Sequence, residues 1–207
     1  MESVREHFRK TASSFDELYA EDRPLQRMLR PGLFARRELA VAVAAEYESP
    51  RVLDVGCGSG RVGEDVLEGG AAQYVGIDFS EPMLALAERR LARFGERVRL
   101  VPANFLTAEL DGPFDVVLAL GLFDYTPEPH HFVRRIHEVC SGAAVGSFPR
   151  WSWLKGPVRK VRYELLADCP IFNYTERELR LMFGAAGFTR TEIFPRGRTG
   201  YLVRAEA

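Results

Sequence analysis

From Arg51 onward, short apolar runs alternate with segments of helical periodicity. The runs RVLDVG, QYVGID, RVRLVP, FDVVLALG and GAAVGSF have the length and composition of buried strands. Helices are predicted at 62–67, 81–94, 130–140 and 176–186. Strands that alternate with helices predict a mostly parallel sheet covered by helices on both faces. FTRTEIF and GYLVRA are predicted to close the chain as a hairpin, with 195–200 as its loop.

The first fifty residues have a different pattern, because their apolar residues recur at helical spacing. One helix is predicted around Val4 to Leu18, and a second from Pro24 towards Ala45, with Pro24 in its first turn. A chain of 207 residues fits one domain with an appended helical segment. We therefore expect an N-terminal helical cap at 1–48 and an α/β domain at 49–207.

Composition narrows the function classes. The chain is 46% hydrophobic and 28% charged, as expected of a soluble globular protein. A net charge of −1 provides no overall attraction for nucleic acid. The charged start lacks the apolar core of a secretory signal, and no apolar stretch approaches the ~20 residues of a membrane helix. Three distant cysteines predict neither a disulfide framework nor structural zinc, so a cytoplasmic location is expected.

The stretch VLDVGCGSGRVG, residues 52–63, joins a strand end to four glycines. GSGRVG formally matches the dinucleotide fingerprint G-x-G-x-x-G. The first glycine after the strand is Gly56, however, and counting from it places Arg61 where that fingerprint needs a small residue. Alternating glycines let backbone approach a ligand without Cβ obstruction. The adjacent Asp54 would repel a pyrophosphate and suits a ligand that carries an ammonium group.

The segment from Asp54 to Gly60, DVGCGSG, resembles the glycine loop of class I S-adenosylmethionine-dependent methyltransferases, whose pattern is D/E-x-G-x-G-x-G after a strand. The resemblance extends from about Arg51 to the last strand. It implies a doubly wound, mostly parallel seven-stranded sheet with the last strand antiparallel, helices on both faces and an N-terminal helical lid. It also implies S-adenosyl-L-methionine as cofactor, S-adenosyl-L-homocysteine (SAH) as product, and in-line methyl transfer to a small-molecule acceptor, with oxygen favoured.

Further residues are assigned to the cofactor. Asp78 ends the second strand about 20 residues past the glycines, where a carboxylate can accept hydrogen bonds from ribose hydroxyls. Phe79 and Phe105 could pack on adenine or belong to the core. Asn104 stands where the family usually has an acid near the adenine amino group, and Tyr19 of SSFDELY could reach the donor. The predicted cofactor-binding residues are Asp54, Gly56, Cys57, Gly58, Gly60, Asp78, Phe79, Asn104, Phe105, Leu120 and Tyr19.

LALGLFDYT, after the fourth strand, resembles the family segment that passes under the methionine part of the donor, and Leu120 and Gly121 would line it through backbone. Asp124 and Tyr125 stand where many relatives have an acid followed by His, and we assign them to catalysis. A phenol of pKa ~10 is a poor base at neutral pH, so Tyr125 is expected to position the acceptor. Asp124 is expected to be structural or to accept a proton.

The segment at about 149–174 concentrates basic and aromatic residues in an otherwise near-neutral chain. Its predicted substrate-binding residues are Arg150, Trp151, Arg159 and Tyr163. It could be a solvated lid helix, a site for an anionic acceptor, or a peripheral contact with an anionic membrane that suits a lipid-like acceptor.

Two other functions stay open from the sequence: a non-catalytic donor-binding module and an NAD-dependent oxidoreductase. Nucleic acid is not an expected partner, because the sequence has no base-flipping N-P-P-Y type motif and no broad basic run. His130 and His131 invite assignment as a catalytic pair or as metal ligands, but adjacent helical residues point about 100° apart. No metal is therefore predicted, and Cys57 and Gly63 are interpreted as turn residues.

Overall fold

The computed structural model describes residues 31–150, 172–196 and 200–207. The described helices are α1 (Pro31–Ala44), α2 (Arg61–Glu68), α3 (Glu81–Leu91), α4 (Pro129–Val139) and α5 (Glu176–Ala186), with a 3-10 helix at Ala92–Arg97. The strands are β1 (Arg51–Val55), β2 (Gln73–Asp78), β3 (Val98–Pro102), β4 (Phe114–Ala119), β5 (Cys140–Pro149), β6 (Arg190–Arg196) and β7 (Gly200–Glu206). None of these helices is long and apolar enough to cross a membrane.

The seven strands form a single sheet in the order β3-β2-β1-β4-β5-β7-β6. Strands β1 to β5 are parallel neighbours, whereas β7 runs antiparallel to both β5 and β6. This topology confirms the doubly wound, mostly parallel sheet with an antiparallel last strand. Apolar residues of β1 are almost fully buried, as expected for a strand covered on both faces.

The core divides into two clusters on opposite faces of the sheet. One joins strand residues such as Leu53 and Val117 to Ile136 of α4 and Leu179 of α5. The other joins alternate strand residues, such as Val52, Val116 and Leu118, to α1, α2 and α3 through residues including Ala40, Val66 and Leu91. The described part of the predicted cap therefore packs on the sheet. The division into a cap and a domain stays a prediction, and residues 1–30 lie outside the described ranges.

Several element ends differ from the sequence prediction. The helix predicted for 81–94 ends at Leu91 and continues as the 3-10 helix, in which Gly95 has a non-helical φ of +56°. Ser80 occupies the N-cap position of α3, but its side chain makes no capping hydrogen bond. Strand β6 pairs with β7 as far as Arg196, so Pro195 belongs to the strand and not to the hairpin loop. Gly63 lies inside α2 and not in a turn.

The last described helix follows its sequence cues closely. Thr175 and Glu178 form a reciprocal capping box at the start of α5. Gly187 ends it in the left-handed conformation with a φ of +107°, which favours glycine.

Candidate functional site

The strand order reverses between β1 and β4, because β2 and β3 follow on one side of β1 and β5 follows on the other side of β4. The connections after β1 and β4 therefore run in opposite directions along the sheet. In open α/β sheets, such a switch point opens a crevice at the carboxyl ends of the strands. The loops that follow β1, β2, β3 and β4 all begin at this edge. They carry most of the site residues predicted from the sequence.

The glycine loop joins β1 to α2 and folds onto the end of β2. Gly56, Gly58 and Gly60 have φ angles of +75°, +53° and +75°, which L side chains rarely adopt. A Cβ on Gly58 would meet no atom within 4 Å, so this backbone borders open space. A Cβ on Gly60 would instead lie 3.0 Å from Leu91 Cδ1 and 3.1 Å from Ala87 Cβ. The second glycine leaves room for a ligand, and the third leaves room for helix α3.

Asp54 is the penultimate residue of β1, and its carboxyl group is only 3% exposed. The Tyr74 hydroxyl donates a hydrogen bond to its Oδ2 at 2.9 Å. Burial raises the pKa of Asp54 to about 7, the Tyr74 bond opposes the rise, Asp78 adds to it and Arg36 also opposes it. A buried carboxyl without a full counter-charge favours a cationic ligand that completes its charge balance.

Arg36 reaches this edge of the sheet from α1. A Cβ on Gly121 would lie 2.8 Å from Arg36 Nη1, so the guanidinium rests against the glycine backbone. Gly121 has a φ of +81°, which also favours glycine. Its N–H donates to the Oγ of buried Ser147 at 2.7 Å. A guanidinium therefore lies near the buried acid Asp54 and beside this backbone.

Asp78 connects the glycine loop to the start of α3 through its two carboxylate oxygens. The N–H of Gly58 donates to Oδ2 at 2.9 Å, and the N–H of Ser80 donates to Oδ1 at 2.8 Å. Burial raises the pKa of Asp78, and the backbone bonds lower it. Each oxygen keeps a further acceptor direction, so the group is able to hold the glycine loop and accept ligand hydroxyls together.

The adenine candidates separate into two kinds. Asn104 is partly exposed, and its Oδ1 accepts a hydrogen bond from the N–H of Leu106 at 3.1 Å. Phe79 is also partly exposed, whereas Phe105 is 4% exposed and lies 6.0 Å from Phe132 between ring centroids. The packing of Phe105 favours its interpretation as a core aromatic. Burial raises the pKa of the Cys57 thiol far above its usual range, which agrees with a structural residue.

Buried aromatic residues hold the loop that follows β4 against the core. Phe123 is fully buried and stacks on Phe148 with 4.2 Å between ring centroids. The Tyr174 hydroxyl donates to the carbonyl oxygens of Phe123 at 3.2 Å and Thr126 at 3.4 Å. These contacts fix the backbone on either side of Asp124 and Tyr125, whose side chains are partly exposed.

Other predicted residues have different placements. Arg150 is exposed at the end of β5, with its guanidinium carbon 5.6 Å from the ring centroid of Tyr201. His130 and His131 are exposed in the first turn of α4. Within the described ranges, no group of three or more His, Cys, Asp or Glu side chains could hold a metal ion. Tyr19, Trp151, Arg159 and Tyr163 lie outside the described residues.

Sequence reasoning missed Arg36, Tyr74 and Tyr174. Arg36 has no local motif, because its role depends on how α1 packs on the sheet. Tyr74 carried a usable cue, since it places a hydroxyl among the buried residues 74–77 of the strand next to β1. Tyr174 could not be linked to the loop after β4 without the tertiary fold.

Comparison with known proteins points in one direction. The model of a methyltransferase domain family matches residues 52–142. The ubiquinone biosynthesis O-methyltransferase of Bordetella parapertussis is 39% identical over 93 residues, which cover 44% of this chain and 38% of that protein. The protein of the same name from Pseudomonas aeruginosa PAO1 is 35% identical over 91 residues, covering 43% and 39%. Each match spans about two fifths of the relative's length.

Solved structures match over nearly the whole chain. Magnesium protoporphyrin IX methyltransferase of Synechocystis PCC 6803, with bound SAH, has a TM-score of 0.79 and 20% identity, with 98% of this chain and 97% of that chain covered. The 1,6-didemethyltoxoflavin-N1-methyltransferase of Burkholderia thailandensis, with its acceptor and SAH bound, has a TM-score of 0.73 and 22% identity, with 99% and 87% covered. Residues 52–142 therefore match a methyltransferase domain family, and the chain has the fold of solved methyltransferases that bind SAH.

Proposed function

We propose that the protein transfers a methyl group from S-adenosylmethionine to a small-molecule acceptor, with oxygen as the favoured acceptor atom. The observation that carries this proposal is the pairing of buried Asp54 with open, positive-φ backbone at Gly58. A carboxylate in this position attracts an ammonium or sulfonium compound and repels a diphosphate.

The residues at the switch point fit the cofactor part by part. Asp54 would accept hydrogen bonds from its ammonium group, and Arg36 would bind its carboxylate bidentately. Asp78 would accept from the ribose hydroxyls with the acceptor directions that Gly58 and Ser80 leave open. Gly58 supplies the uncovered backbone that such a ligand needs.

Asn104 and Phe79 complete the fit at the adenine end. The Oδ1 of Asn104 already accepts a hydrogen bond from the N–H of Leu106, whereas its Nδ2 group is a donor. The amide would therefore donate to a ring nitrogen of adenine, whereas the acid usual in the family would accept from the exocyclic amino group. Phe79 would pack on the ring with its partly exposed face.

Bound S-adenosylmethionine supplies a methyl group already activated by its sulfonium. The chain's part is to hold an acceptor in line with that methyl group and to exclude water, an orientation effect of up to about 7–11 kcal/mol. The loop that Phe123 and Tyr174 fix is suited to this task. Tyr125 would position the acceptor, and Asp124 would either support the loop structurally or accept the proton that the acceptor loses.

The acceptor class is supported by the names of the relatives and by the position of Arg150. The curated relatives described above are named O-methyltransferases, and the enzymes of the two solved structures are named for magnesium protoporphyrin IX and 1,6-didemethyltoxoflavin. A ring-containing small molecule is therefore the favoured acceptor. Arg150, exposed at the carboxyl end of β5, would contribute a cation if the acceptor is anionic or lipid-like. Trp151, Arg159 and Tyr163 are proposed to join it.

Calorimetric titration tests the first half of the proposal. SAH and S-adenosylmethionine should bind in the micromolar range or tighter, whereas NADH should not bind. Tight NADH binding without a response to SAH would overturn the assignment. A second assay measures SAH formation with a panel of phenols, ring carboxylates and ring amines. Donor binding without turnover on the panel would favour a non-catalytic donor-binding module.

A further inference from the structure

Tyr74 of β2 is fully buried, and among the four buried residues of that strand, at 74–77, it alone carries a hydroxyl. Val52 of β1 is its register partner, and Asp54 is the register partner of Gly76. Tyr74 and Asp54 therefore point to the same face of the sheet, one step apart along the diagonal. The phenol reaches across this diagonal, and its hydroxyl donates to Asp54 Oδ2 at 2.9 Å.

Two glycines from different elements make room for the Tyr74 ring. A Cβ on Gly63 would lie 2.4 Å from the ring carbon Cζ, and a Cβ on Gly76 would lie 3.0 Å from Cε1. Gly63 sits inside α2, where glycine is less favourable than alanine. Its presence is explained by the ring, because any other residue would displace the phenol from Asp54.

Filling of the core does not by itself account for a tyrosine here. Phenylalanine would fill the same volume without burying a hydroxyl, and buried hydroxyls need a partner. The partner that the structure supplies is Asp54. The hydroxyl is therefore matched to the carboxyl group, and the two glycines are matched to the ring.

The charges around Asp54 show why such a donor matters. Asp78 faces it from the end of β2 and raises its pKa, Arg36 faces it from α1 and lowers it, and the Tyr74 bond also lowers it. The Cys57 thiol borders the cluster from the glycine loop, and burial keeps its pKa far above neutral, so it stays uncharged. Tyr74 likewise stays protonated, because burial and Asp54 raise its pKa.

We propose that Tyr74 is a positioning residue for cofactor binding: its hydroxyl holds Asp54 in the orientation and the ionised state that accept an ammonium group. The inference rests on the proposed function. It adds to the cofactor site a residue of β2, outside the glycine loop, that controls the orientation and ionisation of Asp54.

The test is the pH dependence of SAH binding to the full chain between pH 5.5 and 9, measured by calorimetry. Tyr74→Phe keeps the ring and removes the donor, so the carboxylate forms only at a higher pH. If the binding midpoint moves up by about one unit, the variant binds about fivefold more weakly than wild type at pH 7 and nearly equally at pH 9. Tyr47→Phe is the control, since Tyr47 packs near Gly142 at the start of β5, away from the glycine loop.

The outcomes separate the two proposals. Wild-type protein that binds no SAH at any pH would refute the proposed function itself. Wild-type binding together with a Tyr74→Phe dissociation constant that differs by the same factor at every pH would refute the positioning role, because a purely structural defect does not titrate. The comparison of variants with wild type at each pH also removes the titration of the ligand's own amino group.

Two further variants guard against a simple folding defect. Gly63→Ala leaves Tyr74 in the chain but should displace its ring, and we expect the same upward shift in the binding midpoint; an unchanged pH profile would contradict the proposal. In an Asp54→Asn background, Tyr74→Phe should weaken SAH binding by less than twofold, since the hydroxyl acts through the missing carboxylate. A further loss of fivefold or more would show that Tyr74 acts by another route.

Discussion

Alanine at Gly58 and alanine at Gly60 should have opposite consequences, although the two glycines are two residues apart and both have positive φ. An alanine in the left-handed conformation lowers the free energy of unfolding by about 1–2 kcal/mol. Replacing glycine also reduces the conformational entropy of the unfolded chain, which raises the free energy of unfolding by about 0.4–1 kcal/mol. Gly58→Ala adds no contact within 4 Å, so its net cost in free energy of unfolding is about 1 kcal/mol.

Gly60→Ala carries an additional packing cost. Its Cβ would lie 3.0 Å from Leu91 and 3.1 Å from the Cβ of Ala87, and 3.3 Å from the Ala87 backbone, which cannot rotate away. Overpacking of this kind costs about 1–3 kcal/mol, which gives about 2–4 kcal/mol in total. For a chain of this size we expect a fall in Tm of about 3 °C for Gly58→Ala and about 6–12 °C for Gly60→Ala.

Binding should follow the reverse order. The Gly58 Cβ would enter the space assigned to the cofactor, so SAH affinity should fall at least about tenfold, a loss of about 1.4 kcal/mol. The Gly60 Cβ points into the protein, so folded Gly60→Ala should bind within a few-fold of wild type. Differential scanning fluorimetry with and without SAH, followed by calorimetry below the Tm, measures both effects. Wild-type affinity in Gly58→Ala would refute the assignment of this loop to the cofactor.

Three further substitutions probe the remaining parts of the site. Asp54→Asn should weaken SAH binding by about 10–100-fold and remove its dependence on pH near 7. Because the folded pKa of Asp54 is raised, its contribution to the free energy of unfolding falls between about pH 4 and 7, so the unliganded variant should be more stable than wild type at pH 8 in thermal melts. Arg36→Ala should weaken SAH by about tenfold or more but leave 5′-methylthioadenosine, which lacks the amino-acid carboxylate, within about twofold by calorimetry. Tyr125→Phe should raise the acceptor KM more than it lowers kcat; an equal fall in kcat and kcat/KM would instead assign Tyr125 to the transition state.

Local chemistry determined which parts of this structure the sequence predicts. The strand bounds of β2 and the helix bounds of α5 follow from composition and caps, because the cues lie within the element. The ends of α3 and β6 do not. After α3 the chain continues as a 3-10 helix that is kinked at Gly95, where φ is non-helical. Strand β6 extends through Pro195 because pairing with β7 outweighs the turn preference of proline.

The candidate site likewise contains residues that local sequence predicts and residues that only the tertiary fold brings together. The glycine loop and Asp78 are contiguous with strand ends, so spacing alone brings them to one edge of the sheet. Arg36 precedes β1 by fifteen residues and reaches the site only because α1 packs across the sheet. Phe105 illustrates the converse, since its position after β3 is compatible with a ligand contact, while its packing against Phe132 depends on α4.

Asp54 connects the stability of the fold with its selectivity. A carboxyl group 3% exposed is unfavourable when ionised, and the raised pKa records that penalty. The Tyr74 hydroxyl from β2 donates a hydrogen bond to this carboxyl group, and the Arg36 guanidinium from α1 lowers its pKa through charge. Among the hydrogen bonds of the described residues, none joins Asp54 to a cationic side chain. An ammonium ligand supplies what this arrangement lacks, whereas a diphosphate would add negative charge to an acid pair formed with Asp78. If Asp54 binds the ammonium group as proposed, the same burial that weakens the unliganded protein makes the site discriminate between cofactors, and moving the acid to an exposed position would lose both properties together.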